Sequence, residues 1–236
     1  MLFWSQPKNH RGTDLGKGIK IGYDQNMENL IEFLLKAGEV KCLKQRGLVL
    51  RGVKDPVTVG AHSFRTAIMG WVLARAGNSG LDGNRIIKIV LVHDLIAGYA
   101  GDLTPYEPLL SQHKTKKIKK IFERWIRIPV KKKHYFYNIQ RAREQKSLKE
   151  LSKYLPKSLA LEIEYLWKEW KEGLTREGRF VQQVDMLENF IQSLEYWKVD
   201  KKFPIDSWWQ ETKQLISDPL LIKFLEALDK KFYSKK

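Results

Sequence analysis

Ile89-Val90-Leu91-Val92-His93-Asp94-Leu95-Ile96 is an apolar run interrupted by two adjacent side chains that commonly bind metals. An ionised aspartate in an otherwise apolar helix is costly unless a cation or hydrogen-bonding partner compensates it. The stretch therefore predicts a core helix carrying part of a buried metal site. Alone, a His-Asp pair also reads as a cap beside a core histidine, so further donors are needed. Two others stand among residues with the look of a buried helix face: His62 in Val59-Gly60-Ala61-His62-Ser63-Phe64-Arg65, and Asp185 in Phe180-Val181-Gln182-Gln183-Val184-Asp185. Two imidazoles and two carboxylates suit Mn, Co, Fe, Ni or Zn, with Mg also admissible, better than Ca, which takes oxygen alone.

Apolar residues recur at three-and-four spacing through most of the chain, predicting helices over 27–43, 62–75, 84–95, 134–153, 158–172, 176–197 and 219–232. Strand signals are nearly absent, so the expected class is all-α. In the helix around Asp185, the stripe Phe180, Val181, Val184, Leu187 and Ile191 puts the carboxylate at the edge of the buried face. Glycines 77, 80 and 83 with Asn78 break the chain between two helices, and Pro156 and Pro204 fall at helix boundaries.

The 236 residues, 43% hydrophobic and 11% aromatic, are enough for a single substantial core. The lone Cys42 cannot form an intramolecular disulfide, and no stretch has the apolar length of a membrane span or secretory signal. A cytoplasmic protein is expected. Its formal charge of +16 favours anionic partners. The densest source is Lys114 to Lys133, where ten Lys or Arg oppose the single acid Glu123 and Ile118, Phe122, Trp125 and Ile128 are interleaved. Such a segment can steer phosphates, hold nucleic acid, or simply form a solvated face. Residues 1–26 show no apolar period and are expected to be an irregular extension.

The ordered set His62, His93-Asp94 and Asp185, followed by Gly101-Asp102, resembles the HD-domain phosphohydrolases, and within them the small proteins that include the 5'-deoxynucleotidases. Further landmarks are Leu50-Arg51-Gly52-Val53, Pro56 and His62-Ser63-Phe64-Arg65; the resemblance covers roughly residues 28–200. It implies a helical bundle over 27–236 with a basic insertion at about 107–133 after the His-Asp helix. It also implies a divalent metal on His62, His93, Asp94 and Asp185, a catalytic and substrate-binding role for Asp102, and a homodimer. Arg51 and Arg65 are the candidate phosphate-binding cations, Arg65 having a salt bridge within the bundle as its alternative.

This chain also departs from that pattern. A Glu that handles protons three residues beyond the His-Asp pair is Ala97, an acid preceding the first metal His is Ala61, and a pocket aromatic is Leu48. Loss of a general acid or base typically costs about 10²–10⁴-fold in rate. The leading expectation is a metal-dependent 5'-nucleotidase in which Asp102 or Glu107 replaces the missing Glu, or whose activity is weak. The alternatives are an impaired HD protein that binds nucleotide or nucleic acid, and a phosphodiesterase.

Overall fold

The computed structural model describes residues 25–102, 104 and 130–233. Among them the apolar periods become helices α1 (Gln25–Gly38), α2 (Arg46–Leu50), α3 (Val59–Ala76), α4 (Gly83–His93), α5 (Ala97–Ala100), α6 (Val130–Ser152), α7 (Lys157–Glu172), α8 (Arg176–Val199), α9 (Asp206–Leu215) and α10 (Pro219–Tyr233). No strand occurs among the described residues beyond an isolated bridge between Lys44 and Thr58, so the all-α expectation holds. No described helix is long and apolar enough to cross a membrane.

Local chemistry sets the starts of the helices that matter. The Thr58 hydroxyl accepts the Ala61 N–H at 3.1 Å, the Asp82 carboxylate accepts from Asn84 and Arg85, and the Thr175 hydroxyl accepts from Gly178. Helices α3, α4, α7 and α8 pack on one another around Ile86, Ile89, Val90, Trp167, Val184 and Leu187, all fully buried. Two glycines permit this closeness. A Cβ on Gly70 would stand 2.8 Å from Ile86 Cγ2, and one on Gly178 would stand 2.1 Å from the Glu169 carbonyl oxygen. Buried Glu169 is satisfied by Arg85, whose Nε and Nη2 lie 2.8–3.1 Å from its carboxylate and tie α4 to α7.

Two differences from the sequence expectations bear on the site. Helix α4 ends at His93, not Leu95, because Asp94 turns out of helical geometry (φ −105°, ψ 3°), which frees two consecutive side chains to converge. The short helices α2, α5 and α9 were not expected, being too brief to show a period. The core also takes in the tryptophans of the C-terminal half: Trp167 is fully buried, and Trp170, Trp197, Trp208 and Trp209 pack against it. Most of the irregular extension, together with residues 107–129 of the basic insertion, Glu107 among them, lies outside the described residues, as does most of the nucleic-acid expectation tied to that insertion.

Candidate metal centre

Three helices deliver four side chains to one place. His62 comes from the first turns of α3, His93 ends α4, Asp94 follows it, and Asp185 comes from the middle of α8. One donor atom each from His62, His93 and Asp94 lie within 4.8 Å of one another. His62 Nε2 is 3.0 Å from Asp185 Oδ1 and 3.7 Å from Asp94 Oδ2; His93 Nε2 is 3.2 Å from Asp94 Oδ2 and 4.0 Å from Asp185 Oδ1. Ligands at ordinary bond lengths from one ion sit about 3.0–3.4 Å apart, so small side-chain adjustments would let this set close on a cation.

The two imidazoles are prepared for that role by what their other nitrogens do. His93 Nδ1 donates to the Val90 carbonyl, and its Nε2 is buried with no hydrogen-bond partner despite the nearby Asp94. His62 Nδ1 is bound by the carboxylate of Glu188, itself only 1% exposed. Both contacts leave Nε2 as the atom facing the carboxylates, the arrangement by which proteins fix the tautomer of a metal-binding histidine. Glu188 is held in turn by Arg65 Nε at 2.8 Å, and the Arg65 guanidinium also reaches Glu195 at 2.7 Å and Gln192 at 2.8 Å. Asp185 is steadied one helical turn on, where Asn189 Nδ2 donates to its Oδ1 at 3.1 Å and Gln45 Nε2 donates to Asn189 at 3.2 Å.

Electrostatics agree with the donor set. Burial alone would push the His62 imidazole down, but Glu188 and Asp185 outweigh it and hold it well above its ordinary value of 6.5. His93 is raised against burial by Asp94 and Asp185, and Asp94, despite burial, is held down at about 2 by His93, His62 and Lys171. A metal must therefore displace protons from the imidazoles. In the metal-free protein, stability contributed by these raised histidines is complete below 6.5 and is lost as pH rises through their folded values. Metal affinity runs the other way. The rise in melting temperature on adding Mn²⁺ should grow as pH rises above 6.5, and calorimetry in two buffers should detect released protons. A pH-independent rise would remove both histidines from the ligand set.

Above the four donors opens a cavity of about 310 Å³. Asp102 lines it, its Oδ2 accepting the Arg46 N–H at 2.6 Å. Burial, then the Asp94 charge, lifts this carboxyl to about 6, the hydrogen bond from Arg46 offsetting only part. Arg51 also lines it, with its guanidinium 3.8 Å over the Trp208 ring and Nη1 donating to the Gly47 carbonyl. Ala97, where the resemblance leads one to expect Glu, forms part of the wall. Arg65 is not in that lining: its guanidinium is spent behind His62 on the acids of α8, so its placement follows the salt-bridge alternative.

Sequence reasoning missed Glu188, Asn189, Gln45, Trp170 and Lys171. Glu188 alone left a signal, a carboxylate one turn beyond Asp185 between the core residues Leu187 and Ile191. The others come from helix faces whose neighbours no local pattern reveals. Trp170 packs its ring edge-on to His93, centroids 5.2 Å apart.

Comparison with known proteins is consistent with this geometry. The HD domain family matches residues 37–217. The chain is 27% identical to the 5'-deoxynucleotidase HDDC2 of Bos taurus over 202 residues, covering 85% of this chain and 84% of the relative. It is 29% identical to the 5'-deoxynucleotidase HDDC2 of Dictyostelium discoideum, covering 82% and 93%. Among solved structures, a conserved hypothetical protein of Pyrococcus furiosus aligns with a TM-score of 0.60 at 23% identity, covering 85% of this chain and 99% of that one. A predicted metal-dependent phosphohydrolase of Magnetospirillum magnetotacticum aligns with a TM-score of 0.56 at 20% identity, covering 88% and 92%.

Proposed function

The chain belongs to the HD-domain family, and on that premise we propose that it is a metal-dependent phosphohydrolase of nucleoside 5'-monophosphates, deoxynucleotides included. The observation that carries this reading is the convergence of His62, His93, Asp94 and Asp185 at the floor of an open cavity. The substrate class is supported by the names of the relatives. A cavity of about 310 Å³ is within the range that holds small ligands. A bound divalent metal, Mn, Co, Fe, Ni, Zn or Mg, would polarise the phosphoryl group and lower the pKa of the attacking water.

The protein's own groups supply the rest. Water adds through its oxygen to phosphorus, the ester P–O bond breaks, and one water proton ends on the nucleoside 5'-hydroxyl. Asp102 is the carrier of that proton: with its carboxyl lifted to about 6, it is ionised at neutral pH yet basic enough to accept one. Arg51, held over the Trp208 ring, presents positive charge to the phosphate. The methyl of Ala97 can carry no proton, so that role falls to Asp102 among the described residues of the cavity wall, Glu144 being engaged by Lys171.

The test is phosphate release from ribo- and deoxynucleoside monophosphates with Mn, Co, Mg or Zn, run beside Ala97→Glu. Metal-dependent turnover is expected, and the variant should exceed the parent about tenfold or more. Absence of turnover with every metal, while metal is retained, overturns the reading. A rate unmoved in Ala97→Glu dissociates position 97 from proton transfer.

We also propose a homodimer. One side of α3 exposes Phe64, Ile68, Trp71 and Val72, at helical spacing, each 43–69% accessible. Such a contiguous apolar stripe is of the kind subunits cover. Sedimentation should give a dimer that Phe64→Glu with Trp71→Glu dissociates; a monomeric parent protein disposes of the idea.

A further inference from the structure

With Arg65 turned away, the cavity contains another cation that the sequence did not advertise. Lys171, near the end of α7, lines the cavity with its side chain only 16% exposed. Its ammonium lies 2.6 Å from Oε2 of Glu144 on α6 and 5.0 Å from the Trp170 ring centre. Glu144 is fixed from the other side by Gln140, whose Nε2 donates to Oε1 at 2.9 Å. Trp170 in turn packs against His93. The chain of contacts Gln140, Glu144, Lys171, Trp170, His93 thus seats a positive charge beside the metal ligands.

We propose that Lys171 is a phosphate-binding residue of the cavity, oriented by Glu144, and that it takes the place beside the metal ligands that Arg65 does not fill. The inference rests on the reading that the cavity receives a phosphate ester. Glu144 approaches the ammonium with one carboxylate oxygen, and an ammonium has three N–H donors, so it can pair with that acid and still serve phosphoryl oxygens. Lys171 and Arg51 sit on different parts of the wall, α7 and the end of α2, so a phosphoryl group above the ligands would meet a cation from each. Charge spreads over those oxygens in the transition state, so a cation fixed there aids turnover as well as binding.

The alternative is a purely structural ion pair joining α6 to α7. Removing Lys171 alone would leave Glu144 buried without its counter-charge, so the informative variant is Lys171→Met with Glu144→Gln, which removes both charges together. The probe is inorganic phosphate, titrated by calorimetry into Mn²⁺-loaded protein, with nucleotide hydrolysis followed separately. The expected result is phosphate binding weakened at least tenfold, kcat/KM for a nucleoside monophosphate reduced on the order of 100-fold, and metal content and melting temperature close to the parent. Lys171→Arg should recover most of the phosphate affinity. Phosphate affinity within twofold of the parent in the double variant overturns the proposal, as does a parent protein that does not bind phosphate. The function and this residue fail separately: phosphate binding lost in the variant without hydrolysis by the parent upholds Lys171 and rejects the enzyme. Hydrolysis by the parent with phosphate binding unchanged in the variant does the reverse.

Discussion

Asp94→Ala is expected to bring nucleotide hydrolysis down to background and to strip the protein of its metal under conditions where the parent retains it. The carboxylate lies 3.2 Å from His93 Nε2 and 3.7 Å from His62 Nε2, and its depressed pKa, about 2, keeps it ionised across the working range. Losing a group that merely supports a ligand commonly costs about 10–100-fold in metal affinity, so loss of the ligand itself should cost more. The metal-free protein should respond too. Without Asp94 the raised pKa of His93 loses its principal support, and the histidine falls toward its buried, neutral form. Metal content by mass spectrometry and phosphate release would be measured on the same preparation, with Asp94→Asn as the near-isosteric control. Retained stoichiometric metal together with a parental rate would sink the assignment of this residue as a ligand.

Glu188→Ala should be the most destabilising single change in the support of the site. Glu188 is almost fully buried and joins two cationic partners, His62 and Arg65, from a different helix. Removing one member of a buried ion pair typically costs about 3–5 kcal/mol, because the remaining charge is left uncompensated. Part of that cost is relieved here, since the Arg65 side chain is 30% exposed and keeps Glu195 and Gln192 as partners. A drop of roughly 6–15 °C in melting temperature is therefore expected for a domain of this size. Metal affinity should weaken about 10–100-fold as His62 loses the contact that orients Nε2 outward. Glu188→Gln, which keeps the shape and one acceptor, should recover stability more fully than metal affinity. A melting temperature and affinity both equal to the parent's would mean that His62 is oriented by something other than this carboxylate.

Much of the plan was legible in the chain. Helical class followed from three-and-four apolar spacing, which is a local property of each segment and survives whatever it packs against. The metal-binding candidates His62, His93, Asp94 and Asp185 were legible for a related reason: each interrupts an apolar stripe, and a polar group on a face destined for burial must find a partner. The turn at Asp94 was not legible, because the apolar residues Leu95 and Ile96 continue the helical pattern while the backbone leaves it. Arg65 shows the limit most plainly. Its position one turn after His62 placed it near the site, but the side of the histidine on which its guanidinium lies depends on α8, which packs there with Glu188, Gln192 and Glu195.

The sequence by itself thus determined the helical class and the residues that needed compensation in a core, since both are written in the spacing of side chains along one segment. Only the tertiary structure decided which partner each one has. Glu188 meets His62 across 126 positions of chain and Gln45 meets Asn189 across 144, while Lys171 and Glu144 come to the cavity from separate helices. The physical reason is that a hydrogen bond or ion pair acts over a few ångströms in space, whereas periodicity reports only which way a side chain faces on its own helix.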